Sequence, residues 1–505
     1  MSIATASDLE IAPARPLLLP LAAAAGCVVL TDWLFYGWDV GISLALFLGL
    51  LGIVAVAANH AAAPRRVQIA MAAIFLAGLL ALVEEVNALS VTVGVLATAM
   101  FIIVVTARQA SSWQLNLIDA VTCVVRGPFQ LAGDLFNALL SLKGRVPDWL
   151  SLNSLVAWII PLLAGAVFLS LFSSANPLIE YRLTQIDLTL LLNLLDSGRM
   201  LFWILIACAI WPLIVRRFQW KDFDPLPGGS VASEPSDVDH LFGARAVTRS
   251  LILFNALFAL QSGLDLTYLW GGASLPNGMS YAKYAHRGAY PLIVTALLAA
   301  GFVLVAMRPG GPAENSRLIR PLVLAWIGQN ILLVISSIFR LDLYVGAYSL
   351  SYLRLAAFIW MGLVAVGLSL ILIQIVLRKP NSWLVTANAI SLALVLYGCC
   401  FINAPRLVAS YNVEHSRENG GTGLNLDLWY LFSLGPQVLP VLESRLQHVA
   451  ALQPHVAGFR SSLDIKARQR GPSNWRSWTF RTWRLDRYLA NNPAISPNAS
   501  GSSKG

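Results

Sequence analysis

Residues 354–377 read RLAAFIWMGLVAVGLSLILIQIVL, a run in which only Arg354, Ser369 and Gln374 carry conventionally polar side chains. At about 1.5 Å of rise per residue this run makes a helix of about 36 Å, enough to cross a hydrocarbon layer roughly 30 Å thick. Ten further runs of the same kind lie near residues 17–31, 40–58, 67–83, 89–106, 151–173, 200–215, 247–269, 289–307, 321–339 and, after the quoted one, 383–402. The composition agrees: 57% of the 505 residues are apolar and 12% charged, against about 25% charged in soluble domains. A water-facing surface cannot be built from that, and the mean hydropathy of +0.67 excludes a disordered chain or a secreted disulfide scaffold. The expected fold is all-α, a polytopic transmembrane bundle of about 11 spans with a small extramembrane C-terminal segment.

Lys and Arg resist translocation, so their distribution between connections predicts orientation. With the N-terminus inside, 17 basic residues fall in cytoplasmic connections and six in outer ones, namely Arg182, Arg199, Lys283, Arg287, Arg340 and Arg354. The expectation is a bacterial inner-membrane protein, N-terminus cytoplasmic and C-terminal tail periplasmic. The net charge of +9 belongs mainly to that tail, where residues 403–505 hold 12 basic and 6 acidic side chains. Only Arg406 and Arg417 lie close enough to the last span for the rule to weigh them. Cys27, Cys123, Cys208, Cys399 and Cys400 sit in apolar stretches, odd in number and without nearby His, and read as small hydrophobes. The LLLPLAAAAGC segment ending at Cys27 resembles a lipoprotein leader, but Asp8 and Glu10 precede it, which favours a first membrane helix.

The connections divide the chain into a membrane half over 1–220, a cytoplasmic linker over 221–244 rich in Pro, Gly, Ser and acids, a second membrane half over 245–402, an extramembrane tail over 403–490 and a disordered end over 491–505. Residues 113–143 mix apolar side chains with Asp119, Arg126, Asp134 and Lys143. The break at Gly127–Pro128 predicts two amphipathic helices, either on the inner leaflet or packed under the bundle. Residues 176–198 predict an outer interfacial helix.

Ionisable groups inside a bilayer cost roughly 2.5–3.5 kcal/mol at mid-depth, so each needs a partner or a role. Gln261, Asp265 and Tyr268 share one helix face, and a structural ion pair of Asp265 with Arg287, Arg340 or Arg354 is the default over a proton relay. The outer loop WGGASLPNGMSYAKYAHRG over 270–288 carries Tyr281, Tyr284, His286 and Arg287. It reads either as an interfacial anchor or as a pocket for an anionic group, with Arg287 as a two-pronged donor and His286 as proton carrier. The next connection, FRLDLYVGAYSLSYLR, places Arg340, Asp342, Tyr344, Tyr348 and Arg354 close together. The two connections together would form a polar cap.

YAKYAHRG from Tyr281 to Gly288, FRLDLYVGAYSLSYLR, RLVASYNVEHS from Arg406 and LNLDLWYLFSLG from Leu424 resemble the bacterial membrane family catalogued as domain of unknown function 4173, with its sister family 4153. The resemblance spans roughly residues 245–440. Members tend to read Asn-Pro-Asp where this chain has Asn403, Ala404 and Pro405. The resemblance implies an inner-membrane bundle with an outward segment after the final helix, and no activity.

In the tail, NWRSWTFRTWRLDRY interleaves Trp475, Trp478 and Trp483 with Arg476, Arg481 and Arg484. Such a run can contact lipid headgroups, build a small packed domain, or stack on single-stranded nucleic acid. Outside the cell nucleic acid is not available, so the expected partner is the lipid bilayer, including anionic lipid. No phosphate-binding loop, dinucleotide glycine pattern, zinc motif or nucleophile elbow occurs, so no catalytic residue, metal or cofactor is assigned. Three functions remain: a non-enzymatic sensor, scaffold or regulator; a secondary transporter of a small solute; and a transferase acting on a lipid-linked or anionic substrate.

Overall fold

The structure is a computed structural model, and it describes residues 18–108, 111–142, 197–216, 244–267, 318–470 and 474–493. All of the regular structure among these residues is helical. Among the described residues, eight helices are long and apolar enough to cross a membrane: α1 (Leu18–Phe35), α2 (Ile42–Asn59), α3 (Arg65–Glu84), α4 (Ala88–Thr106), α7 (Ala244–Asp265, apolar from Val247), α8 (Ile319–Tyr348), α9 (Tyr352–Leu377) and α10 (Asn381–Phe401). Between α4 and α7 come α5 (Trp113–Leu142) and the apolar α6 (Ser197–Ile214). The chain is an all-α multi-pass membrane protein. The runs at 151–173 and 289–307, the stretch 221–243 and all of the stretch 176–198 except its last two residues, which begin α6, lie outside the described residues.

Contacts divide the chain into two units, 1–225 with 474–480, and 226–473 with 481–505. In the first unit the apolar runs pack through Leu34, Leu51, Leu82, Ile102, Ile103, Trp211 and Ile214. α4 begins at a capping box, in which Asn87 and Ser90 exchange side-chain to backbone bonds of 3.0 Å. α6 runs antiparallel to α1, and the Asn59 amide at the end of α2 bonds the carbonyls of Leu213 and Ile214 at 3.1 and 2.9 Å. Those carbonyls are among the four that a helix C-terminus leaves without intrahelical partners.

α5 corrects the expected break at Gly127–Pro128: it is one helix with Pro128 inside. An internal proline costs about 3 kcal/mol, and the cost is offset by packing on α6. At Gly127 the two backbones touch so closely that a Cβ there would lie 1.9 Å from the Cys208 carbonyl oxygen. The helix turns its polar face inward, burying Asp119 and Asp134, while Val121, Val125, Phe129 and Phe136 point outward. That arrangement suits a lipid surround, because the charges find partners in the bundle and the apolar side chains face the acyl chains.

In the second unit α7 and α8 run parallel, with Val247, Leu251, Ile319, Val323 and Trp326 as their core. α9 returns antiparallel to α8, tied at one end by the Arg320 guanidinium to the Ile375 carbonyl at 2.9 Å. α8 continues helical to Tyr348, so Arg340, Asp342, Tyr344 and Tyr348 occupy its last turns instead of a loop. The turn is short: Ser349 takes φ +67° and Ser351 caps α9.

Residues after α10 build a helical cap: α11 (Ala404–His415), α12 (Leu428–Ser433), α13 (Leu439–Arg445), α14 (Gln453–Arg470) and α15 (Phe480–Asn491). Asn403, with Pro405 in the first turn, caps α11, and Asp427 caps α12. The cap has its own core of Ala409, Val413, Leu431, Val438, Leu439, Leu442 and Leu446.

Candidate functional site beneath the C-terminal cap

Asp265 closes α7 and Arg340 stands on α8, and the parallel packing of these helices brings them into an ion pair. Asp265 is 0% and Arg340 5% exposed, and the Gln261 amide donates to the same carboxylate at 3.0 Å. Arg340 is one of the three arginines that the sequence offers Asp265, and it engages the carboxylate; Arg287 lies outside the described residues. Two opposite charges buried together neutralise each other, whereas removal of one strands the other at a cost of about 3–5 kcal/mol. This chemistry locks two helices.

Arg354 has a different task. Its guanidinium donates to the Tyr348 carbonyl at 2.5 Å and to that of Ser349, where α8 leaves carbonyls without helical partners. It also lies 4.7 Å over the Tyr344 ring, and the Tyr344 and Tyr348 ring centroids are 4.7 Å apart. The turn is then clasped by the cap. Asn412 accepts from the Leu350 amide at 2.7 Å and donates to the Leu350 carbonyl at 2.9 Å, and the Tyr430 hydroxyl accepts from the Tyr352 amide at 3.0 Å. Val345, Leu350 and Val408 seal the contact. Burial, with a smaller contribution from the nearby Asp342 carboxylate, pushes the Tyr411 phenol above its usual range, and the His415 ring stacks on Tyr411 at 4.0 Å.

The structure thus joins Asp265 with Arg340, joins Tyr344 and Tyr348 with Arg354, and sets Asp342 near Tyr411. Tyr268, Tyr281, Tyr284, His286 and Arg287 lie outside the described residues. Asn412, Tyr430 and His415 were not singled out in the sequence; the i, i+4 spacing of Tyr411 and His415 on a short helix is the only local signal they carry.

The aromatic and basic run of the tail is shared between the two units. In the first, the Arg476 guanidinium lies 4.3 Å over Trp33, 5.0 Å over Trp38 and 5.2 Å over Trp475. The Ile42 amide donates to the Trp478 carbonyl at 2.8 Å. Gly41 admits this strand of chain, because a Cβ there would meet the Ser477 backbone at 2.3 Å. In the second, Arg481 is buried and donates to the carbonyls of Cys400 and Ile402 at 3.3 and 3.4 Å, closing the end of α10. Trp483 and Arg484 face outward on α15.

Two charge clusters in the first unit also escaped the sequence reading. Asp119 pairs with Arg126 and, at 2.7 Å, with Arg216. Asp32 accepts from Arg199 Nε at 2.7 Å and from Trp203 Nε1 at 2.9 Å. For Asp32 and Arg199 the available signal was an acid just after one apolar run and an arginine just before another, which antiparallel packing sets side by side.

The profile of the family described as Domain of unknown function (DUF4153) matches residues 70–444. The chain belongs to that family. The match falls on the sister of the family first suggested by the sequence, and it extends from α3 in the first membrane half to α13 in the cap. No curated protein and no solved structure matches this DUF4153 chain.

Proposed function

We propose that this DUF4153 protein is a non-enzymatic scaffold or sensor of the bacterial inner membrane, with a cytoplasmic N-terminus and a periplasmic cap. One observation supports the reading: among the described residues, three arginines at the cap end are engaged in holding the fold. Arg340 binds Asp265, Arg354 closes the end of α8 and Arg481 closes the end of α10. A substrate site would instead keep such donors aimed at an open space. The cap, with its own core and its clasp on the α8–α9 turn, is the part that offers a surface to other molecules.

The test separates fold from chemistry. Replacing the buried pair by apolar side chains of similar size, Asp265→Leu with Arg340→Met, is expected to preserve stability. Expressed in a deletion strain, this double variant should complement as well as the wild type. A stable double variant that fails to complement would overturn the scaffold reading in favour of a chemical role for the pair. An impermeant thiol reagent tests the orientation: Trp429→Cys, at a position 87% exposed in the cap, should be labelled in spheroplasts without lysis.

A further inference from the structure

Arg340, Arg354 and Arg481 direct their donors at carboxylates and carbonyls of the fold. Arg476, in the first unit, is held differently. Three indole rings pack against its guanidinium, those of Trp33, Trp38 and Trp475, and the Trp33 and Trp475 ring centroids are 5.8 Å apart. A ring face attracts the positive charge but provides no oxygen to accept an N–H. Among the described residues the guanidinium meets no carboxylate and donates no hydrogen bond, and its Nε is enclosed without a partner. The terminal nitrogens are not enclosed. The backbone around it is pinned as well: the Arg476 amide donates to Asn474 Oδ1 at 3.2 Å, and the Trp478 carbonyl accepts from the Ile42 amide. The result is a cation fixed in orientation whose fork of donors is still unspent.

The place of this cation says what it meets. α1 and α2 are both long and apolar enough to cross the membrane, so the turn that joins them, with Trp38 in it, lies at the membrane surface. Trp33, Trp38 and Trp475 are each about half exposed, as suits indoles at headgroup level. Val29, four residues before Trp33 and so on the same face of α1, is exposed and offers apolar surface to an acyl chain just beneath the cation. A phosphodiester at this level finds a guanidinium that is planar, weakly hydrated and already oriented. Asp39, exposed in the same turn, forms no ion pair with Arg476. Its negative charge repels a multiply charged anion more than a singly charged one. A lipid phosphodiester carries one negative charge, whereas free phosphate near neutral pH carries more and gains nothing from the apolar surroundings.

We propose that Arg476, framed by Trp33, Trp38 and Trp475, binds the phosphodiester of a phospholipid headgroup. The site belongs to the first unit and stands independently of the scaffold reading. The test is footprinting of the full-length protein, delipidated in detergent, with the arginine reagent phenylglyoxal, read by mass spectrometry of its peptides. Arg476 should react in the absence of lipid, and phosphatidylglycerol should slow that reaction about tenfold. Diacylglycerol with the same acyl chains, and inorganic phosphate in large excess, should not slow it. Arg487, exposed on α15, is the internal reference and should react equally in every arm. In native mass spectrometry, Arg476→Gln should retain phosphatidylglycerol about tenfold less tightly than the wild type does. An Arg476 that is unreactive without lipid, or equal protection by phosphatidylglycerol and diacylglycerol, overturns the proposal. Protection by inorganic phosphate assigns the site to the free ion and overturns the lipid. Undiminished retention by a folded Arg476→Gln also overturns it, and should that variant fail to fold, the wild-type footprint decides.

Discussion

Arg340→Gln leaves the Asp265 carboxylate buried beside Gln261 without its counter-charge. Such a change is expected to cost about 3–5 kcal/mol, visible as a lowered thermal midpoint of the purified protein in detergent. Asn412→Ala strips both the amide and the carbonyl of Leu350 of their partner and should loosen the cap by about 1–3 kcal/mol per orphaned group. Limited proteolysis should then cut first between α10 and α11. A third residue sets an alkaline limit. Burial and the bond to Glu443 push the Tyr488 phenol up to about 12, against about 10 in an unfolded chain. The neutral phenol is therefore favoured by the fold. Its contribution is complete below pH of about 10 and is lost as pH rises toward about 12. Cap stability should fall over that interval in the wild type, and in Tyr488→Phe this component of the slope should vanish. What was legible at this scale was need: Asp265, buried among apolar neighbours, had to find a cation. Which cation was not legible, because Arg287, Arg340 and Arg354 are equivalent until α7 and α8 are laid side by side.

Local pattern and local partner disagree most clearly in α5. Gly127–Pro128 is a helix-breaking pair by propensity, yet close packing on α6 carries the helix through it. Gly127→Val should therefore force α5 and α6 apart and lower stability by several kcal/mol, since overpacking a tight contact costs about 1–3 kcal/mol before any backbone movement. Pro128→Ala, which restores a backbone donor, should be neutral or stabilising in the same thermal assay. α8 illustrates a milder form of the same point. Its last turns, through Arg340 and Tyr348, are too polar to be read as a span, but the helix continues because Arg354 closes its carbonyl end and the cap covers it. Apolar runs are legible because lipid demands them; helix ends set by contacts from distant residues are not.

Across the first unit, the α1–α2 turn and the tail segment 474–480 share one end, joined through Gly41, Ile42, Trp33 and Arg476. Cysteines introduced singly at Asp39 and Trp475 should accordingly react with an impermeant maleimide from the same side of the membrane. Labelling from opposite sides would contradict this placement. The aromatic and basic tail run left open whether its tryptophans meet lipid or pack on protein, since the same side chains suit both. The fold divides them: Arg476 is held over Trp33 and Trp38, Arg481 closes α10, and Trp483 is left facing outward.

Hydropathy by itself determined that this is a membrane bundle of helices, because a chain 57% apolar and 12% charged has no stable alternative in water, lipid requires every backbone group to be bonded internally, and continuous apolar runs of about 20 residues meet that requirement as helices. Only the tertiary structure decided which charges meet. Those outcomes depend on the side-by-side placement of Asp32 with Arg199, of Asp119 with Arg216 and of Asp265 with Arg340, residues 75 or more positions apart, and no periodicity within a helix encodes its neighbour.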